Sequence, residues 1–492
     1  MISFLNQISI SKFTMNKKID LSAFLKNNVK PALGCTDVVV IGLAGSVAYL
    51  AAQGRIPKSL GSLGQEKSDQ ENDVRLLEYL ETVEIELDRN IFKNAQSVNL
   101  PMPDGMLSKM EKGIEFAASL GIFSSIENYQ KEELLTIFSQ VNPQIIKKAK
   151  ELKSRVKFKV EVVDSWTGKS NLNVRVKMIF NEQSKVKFSE ARITHSYTHI
   201  SHIANSNGVL YQDNNAEQRE AEENNQLEIL SKLSLPEMIS AVQDLPDEAQ
   251  QLLQKNIEMN TLLSNKGLEG KHGLKLGYSY REMIGDGFLA DDLVNYAKSL
   301  AAAAGDARMG GAKLAAMSTA GSGNQGITAT VPIIAVANKI GAKQLKISSA
   351  QQKQRLMQSL ALSHLITSYI AFYSGELSAL CGCAVKAGVG VSAGLTYYLG
   401  GEEKEIAWAM ENVVANITGM ICDGAKEGCA LKLATAAGVA VESALLAMKG
   451  VRTPTDNGIL ASSIEQTLKN IGDISEAMIK TDQVVVQKMM LK

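Results

Sequence analysis

The chain has 492 residues, 45% of them hydrophobic, enough to bury at least one full core and to divide into more than one domain. Its 52 basic and 52 acidic residues cancel, which excludes a global field that would draw the protein to nucleic acid or anionic lipid. A small neutral or zwitterionic molecule is the expected partner, with no nucleic acid and no membrane.

Taken in chain order, Met1 to Asp20 mixes lysines and polar residues with short apolar stretches and has no hydrophobic run leading to a small-residue cleavage site. No export signal is expected there, and Met15 is an alternative start. Lys30 to Gln53 is rich in Ala and Gly. Its apolar run, Val38 to Ala52, is shorter than the ~18–20 residues of a membrane span and predicts a buried helix. From Thr82 to Tyr211 the texture changes. Val83–Leu87, Val156–Val163, Leu172–Phe180 and Val186–Thr194 alternate or are rich in Val, Ile and Phe, which predicts strands. Helices are predicted near Met106–Leu120 and Glu132–Lys153, making this stretch a small α+β unit.

Asn214 to Gln226, rich in Asn, Glu and Gln, reads as a solvated connector. From Leu230 onward the pattern is helical, first charged and then rich in Ala, Gly and Ser, which permits close helix approach. Lys432 and Glu442 interrupt the late Ala-rich runs, so buried core helices are expected rather than spans. The expected fold class is α+β. An Ala/Gly-rich all-helical domain, residues 16–75 and 228–492, carries the candidate catalytic residues, and a smaller α+β domain, residues 76–215, is inserted in it. No fixed-period repeat is visible.

Five cysteines, Cys35, Cys381, Cys383, Cys422 and Cys429, are an odd number that cannot be fully paired. They suit a reducing, cytoplasmic compartment, where clustered thiols bind metal or do chemistry. The last four lie in LCGCAVKAGVG and NITGMICDGAKEGCALK, and neither pair has the spacing of a zinc knuckle. Buried structural cysteines are the plain alternative. The surrounding Gly and Ala leave room for inorganic sulfide, and iron-sulfur clusters need thiolates in such surroundings.

STAGSGNQGITATVP, Ser318 to Pro332, is a small-residue string before an apolar segment. Its backbone N–H groups and a helix N-terminus suit a carboxylate, with Ser322, Gly323, Asn324 and Gln325 as candidate substrate-binding residues. A glycine-rich helix connection is the structural alternative. In PALGCTD, Cys35 precedes an apolar helix, whose N-terminus is expected to lower its pKa and make it a base or nucleophile. ARITHSYTHISHI places His195, His199 and His202 at the end of a strand pattern, where a role in shaping a cleft is favoured over metal binding. His272 and His364 show no pattern. Asp423, Lys426 and Glu427 crowd beside the late cysteines, either as a solvated turn or as support for a bound group.

Together, PALGCTD, the HSYTHI region, MSTAGSGNQGI, LSALCGCAVKAGVG and NITGMICDGAKEGCALK resemble the L-cysteine desulfidase family, itself similar to the α-chain of bacterial iron-sulfur L-serine dehydratases. The resemblance runs from about Lys30 to the C-terminus. It implies a [4Fe-4S] cluster held by Cys422, Cys429 and one cysteine of the CGC pair, with Cys35 as the base. The single Gly-Cys of the dehydratases at that place favours Cys383, with Cys381 as the alternative. The dehydratases carry a His-containing turn where GCT stands here, which favours the desulfidase branch. The expected reaction is β-elimination from a small amino acid, L-cysteine giving sulfide, ammonia and pyruvate, in a protein that could form a homodimer.

Three alternatives remain at this point. One is an L-serine dehydratase of the same iron-sulfur type. A second is a pyridoxal-phosphate lyase, since SGNQG also resembles that class's loop, although such an enzyme needs a Schiff-base lysine and usually βαβ surroundings. The third is a non-catalytic ligand-binding protein whose cysteines sense oxidation or metal.

Overall fold

The computed structural model describes residues 18–61, 75–103, 106, 112–163, 172–213 and 225–491. Met1, Met15, the domain limits at 16 and 215, and residues 214–224 of the connector lie outside them.

A six-stranded sheet and a helical body make up the fold, as the α+β expectation requires. The strands are β1 (Pro31–Leu33), β2 (Leu80–Leu87), β3 (Lys157–Val162), β4 (Asn173–Phe180), β5 (Phe188–Thr194), β6 (Ile200–Asn205), β7 (Gly208–Gln212) and β8 (Ala315–Met317). The large sheet has the order β3-β2-β4-β5-β6-β7. All its pairs are antiparallel except β2 with β3, which are joined through the helices between residues 89 and 155, as a parallel pair demands.

Alternation along the strands divides the two faces. Val83, Ile85, Val174, Val176 and Met178 are buried, while Arg175 on the other face pairs with Glu86 and with Glu190 at 2.8 Å. One apolar and one charged face is the pattern of a sheet covered on one side.

The cover is the helix Thr36–Ala52, which packs on β4, β5 and β6 and on the helix Ile114–Ile122. A Cβ added at Gly121 would collide with the carbonyl of Gly42, and one at Gly45 would lie 2.8 Å from the Ala118 oxygen. Backbone touches backbone there, and only glycine fits. The Ala/Gly texture of this stretch suggested the helical body, but the structure lays the helix on the sheet. Small residues serve close approach equally on either side.

In the body, the helix Leu293–Met309 packs against Asp247–Leu268 and Cys429–Ala447, and Ser349–Ser374 packs against Val385–Leu399. Glycines again mark the crossings, a Cβ on Gly394 lying 2.5 Å from the Ser359 carbonyl. By length and composition one helix among the described residues, Cys429–Ala447, could cross a membrane; here it lies in the bundle with most of its surface buried.

Two short pairings position the chemistry. β1 runs antiparallel to β8, pairing Ala32 with Ala316, and so lays the PALGCTD turn beside the Ser318 loop. Leu380 pairs with Ile421, which brings the CGC turn against MICDG.

Candidate functional site

Cys35 is the N-cap of the helix Thr36–Ala52 and is 3% exposed. The preceding Gly34 has φ 75°, and a Cβ there would lie 2.5 Å from the Pro101 ring, so the turn tolerates only glycine. The Cys35 thiol donates to Asp37 Oδ2 at 3.2 Å, and the Tyr197 hydroxyl donates to Asp37 Oδ1 at 3.1 Å.

The helix N-terminus was expected to lower the Cys35 pKa. In the structure the thiol is pushed well up, first by burial and then by the Asp37 charge, although Arg308 pulls the other way. Loss of water and an anion two residues away outweigh the dipole of one helix end. Burial also raises Asp37, against the hydrogen bonds from Cys35, Tyr197 and Asn94.

Arg308 closes this wall from the last turn of the helix Leu293–Met309. It is 2% exposed, and its Nη1 donates to Asn324 Oδ1 at 2.9 Å. Burial lowers its pKa, while Cys35, Asp37, Cys429 and Cys383 act to raise it, so one guanidinium is set between both groups of thiols.

The Ser318–Gln325 segment forms the floor. Ser318 N donates to Lys30 O at 2.8 Å and Thr36 Oγ1 to Gly321 O at 3.2 Å, fixing the loop against the Cys35 turn. Ala320 and Gly321 have φ of 45° and 74°, a left-handed pair that reverses the chain into Ser322, the N-cap of the helix Gly323–Lys339. The expected loop and helix start are both present. Asn324 and Gln325 are turned inward, however. The Asn324 amide donates to Met309 Sδ at 3.4 Å and that of Gln325 to Ala320 O at 3.2 Å. Ser322 Oγ caps the Gln325 N–H at 3.5 Å, which leaves the N–H groups of Gly323 and Asn324, without intrahelical acceptors, as the donors at the floor.

Behind the loop stands a buried network that the sequence did not suggest. Asn256 Nδ2 donates to His364 Nε2 at 2.9 Å, so His364 Nδ1 carries the proton and donates to Thr319 Oγ1 at 2.8 Å. Burial holds the His364 pKa down at about 3, keeping the ring neutral.

The four late cysteines form the opposite wall. Cys381 N donates to Met420 O at 2.9 Å and Cys422 N to Ala379 O at 2.7 Å. Cys381, Cys383 and Cys429 are buried and Cys422 is half-buried. The sulfurs of Cys381 and Cys383 are 3.4 Å apart. Their hydrogen bond holds Cys381 down at about 7 and pushes Cys383 well up. Burial raises Cys422, and takes Cys429 to about 11.

Cations surround this group. Lys93 forms a buried 2.6 Å ion pair with Asp482, and burial brings fully buried Lys386 down to about 8. Lys432 donates to Ile421 O at 2.8 Å. Asp423 is held at about 2 by Lys426 and Lys432 against its burial, and Glu427 accepts from Asn99 at 2.8 Å. These three polar residues therefore tie down the cysteine-bearing turn.

Among the described residues, no three His, Cys, Asp or Glu side chains surround one point as ligands of a single ion. A cube of iron and sulfide needs a different donor set, thiolates spread around a larger body with polarisable neighbours. Cys381, Cys383, Cys422 and Cys429, electrostatically linked to one another and set among three lysines, have that chemistry.

The strand-end histidines lie elsewhere. His199 bonds to Thr194 O at 3.0 Å and Asp213 Oδ2 at 2.8 Å, and His202 to Gln212 Oε1 at 2.7 Å. They stitch the sheet edge, and it is Tyr197, between them in sequence, that reaches the site. Asp37 and Tyr197 stood inside the quoted motifs without a role. Arg308 stood outside them, although a lone cation closing the run AAAAGDARM was a readable signal.

A model of the serine dehydratase alpha chain family matches residues 133–487. A UPF0597 protein of Desulfatibacillum aliphaticivorans is 33% identical over 95% of this chain and 97% of its own length. UPF0597 proteins of Clostridioides difficile, at 33% over 94% and 98%, and of Desulforapulum autotrophicum, at 34% over 95% and 96%, are similarly close. With matches of this extent, the chain belongs to the serine dehydratase alpha chain family, alongside the UPF0597 proteins.

Proposed function

We propose that this protein is a cytoplasmic lyase that uses an iron-sulfur cluster to eliminate the β-substituent of a small amino acid, with L-cysteine as substrate. Membership in the serine dehydratase alpha chain family supports the lyase class. The observation that carries the finer reading is a convergence of turns: Cys35 Sγ lies 4.0 Å from Asn94 O, a Cβ on Gly424 of the MICDG turn would meet the carbonyl of the adjacent Lys93, and one on Gly382 of the CGC turn would lie 2.9 Å from Gln325 Cδ, so the base candidate, the Ser318 loop and the late cysteines gather at one place.

Cys422 and Cys429 with Cys383, or Cys381 in its place, would hold the [4Fe-4S] cluster. When bound, it supplies Lewis acidity at the leaving group or carboxylate. The chain's own part is proton transfer and orientation. Cys35 rests as a thiol and hands its proton to Asp37 Oδ2, 3.2 Å away; burial has already raised Asp37 toward accepting it. The thiolate takes the α-proton, the Cα–H pair becomes the double bond, and the Cβ–S bond breaks with sulfide leaving. The enamine product hydrolyses to pyruvate and ammonia. The first-turn N–H groups of Gly323 and Asn324 face the substrate carboxylate.

A pyridoxal-phosphate lyase fits less well. Of the two fully buried lysines near the site, Lys386 has its Nζ engaged by the Gly375 and Glu376 carbonyls and Lys93 is ion-paired with Asp482, and SGNQG opens a helix within a helical body. The test is anaerobic purification followed by assay of L-cysteine and L-serine for sulfide, ammonia and pyruvate. A brown protein releasing all three from L-cysteine in equal amounts is expected. Faster turnover of L-serine would overturn the substrate, and full activity without iron would overturn the mechanism.

A further inference from the structure

We propose that Arg308, acting with the first turn of the Gly323–Lys339 helix, is the anchor for the substrate's α-carboxylate and the residue that makes a free carboxylate obligatory. The inference rests on the amino-acid reading above and adds a residue that sequence patterns passed over.

Arg308 is 2% exposed, yet the partner of its Nη1 is a neutral amide oxygen, Asn324 Oδ1. Its Nε is buried with no hydrogen-bond partner among the described residues. A buried guanidinium whose hydrogen-bonded partner is a neutral oxygen, with one N–H unmet, is unfavourable on its own account. A planar bidentate anion satisfies both its charge and its geometry.

The neighbouring backbone is shaped to the same ligand. The guanidinium lies flat against Gly323, where an added Cβ would come within 2.6 Å of Arg308 Cζ. Gly323 is the first residue of a 17-residue helix whose terminal N–H groups and positive dipole end favour an anion. Gln325 Oε1, buried at the same helix start, also has no hydrogen-bond partner among the described residues. It is placed to accept from the ammonium group of the same amino acid. A carboxylate on Arg308 brings the α-carbon toward Cys35 and Asp37, whose charges reach the same guanidinium.

The competing role for Arg308 is structural, a counter-charge for Asp37. The experiment separates the two by comparing two unreactive ligands that differ only in the carboxylate, L-alanine and L-alaninamide. Binding of each to the anaerobically purified holoprotein is measured by calorimetry. Wild type is expected to prefer L-alanine, and Arg308→Gln to lose roughly ten- to hundredfold in L-alanine affinity, the scale of a hydrogen bond to a charged group, with alaninamide little changed.

Gly323→Ala, which displaces the guanidinium without removing it, should move affinity in the same direction. Arg308→Lys, which keeps the charge and loses the fork, should fall between. These two variants keep the test alive if Arg308→Gln does not fold. A ligand preference preserved in a folded Arg308→Gln or Gly323→Ala protein overturns the anchor and leaves the lyase reading intact. Preference lost in the variants as expected, with a wild type that releases no sulfide from L-cysteine, keeps the anchor and overturns L-cysteine as the substrate. No preference in wild type overturns the anchor outright.

Discussion

The Cys35 turn and the late-cysteine turns, the two walls of the site, are stabilised differently. Both oxygens of Asp37 are engaged, by Cys35 and by Tyr197, and the adjoining loop is backed by hydrogen bonds through Thr319, His364 and Asn256. The four late cysteines have mainly one another: Cys383 holds Cys381 down at about 7, while the charges of their neighbours help keep Cys383, Cys422 and Cys429 protonated. At the first wall the Cys35–Asp37–Tyr197 chain is satisfied as folded, and Arg308 Nε is left without a hydrogen-bond partner among the described residues. At the second, Cys422 and Cys429 would become thiolates most readily with further positive charge beside them, the condition that a bound cluster would supply under the reading proposed above.

The comparison breaks most sharply at the second wall. Cys422→Ala and Cys429→Ala are each expected to abolish both iron content and turnover, because a three-thiolate site has no spare ligand. Iron near the wild-type level in either variant removes them from the ligand set. Within the CGC pair only one substitution should behave this way, and loss of iron in Cys381→Ala with retention in Cys383→Ala reverses the preference for Cys383.

The first wall should fail more gently and without loss of iron. Cys35→Ser is expected to keep its cluster and bind substrate while turnover falls by ~10²–10⁴-fold, the range of general-base contributions. α-Deuterium washout should fall in parallel with sulfide release. Loss of iron would make Cys35 a ligand, and full turnover would leave it a bystander. Below this come Ser322→Ala and Asn324→Ala, expected to lower kcat/KM by roughly ten- to hundredfold with an unchanged cluster spectrum. For Asn324 the loss would run through Arg308, which it holds.

The smallest effect is the displacement of a curve. The Cys35 thiol is raised, so the thiolate grows with pH and kcat/KM should rise toward alkaline pH. The Asp37 charge helps to keep Cys35 up, so Asp37→Asn should move that rise to lower pH even as it removes a proton acceptor. An unmoved or alkaline-shifted profile would separate Asp37 from Cys35.

What the sequence disclosed follows from how local each signal is. Strands at 83–87, 172–180 and 186–194 announced themselves because one face of the sheet is buried and the other charged, which writes an alternation into the chain. The motif glycines were readable because each marks a turn or a contact that a Cβ would spoil, as at Gly34 and Gly323. Arg308, His364 and the Asp37–Tyr197 bond were not, since each acts on partners distant in the chain. The sign of the Cys35 shift was also out of reach. A helix start is visible in sequence, whereas the burial that outweighs it belongs to the whole fold.

The β1–β8 ladder has a consequence for the order in which this molecule comes into being. It joins the Cys35 turn to the Ser318 loop across a separation of 285 residues, and the late cysteines follow further still. At synthesis rates of about 5–20 residues per second, roughly 15–60 s pass between the emergence of the base and that of the floor it works against. Contacts this distant pay loop-closure entropy before they return any stability. A nascent or truncated chain therefore carries Cys35 without the Ser318 loop and the late cysteines that it meets in the finished fold. Reactivity arrives with the last third of the polypeptide, as a property of the finished chain alone.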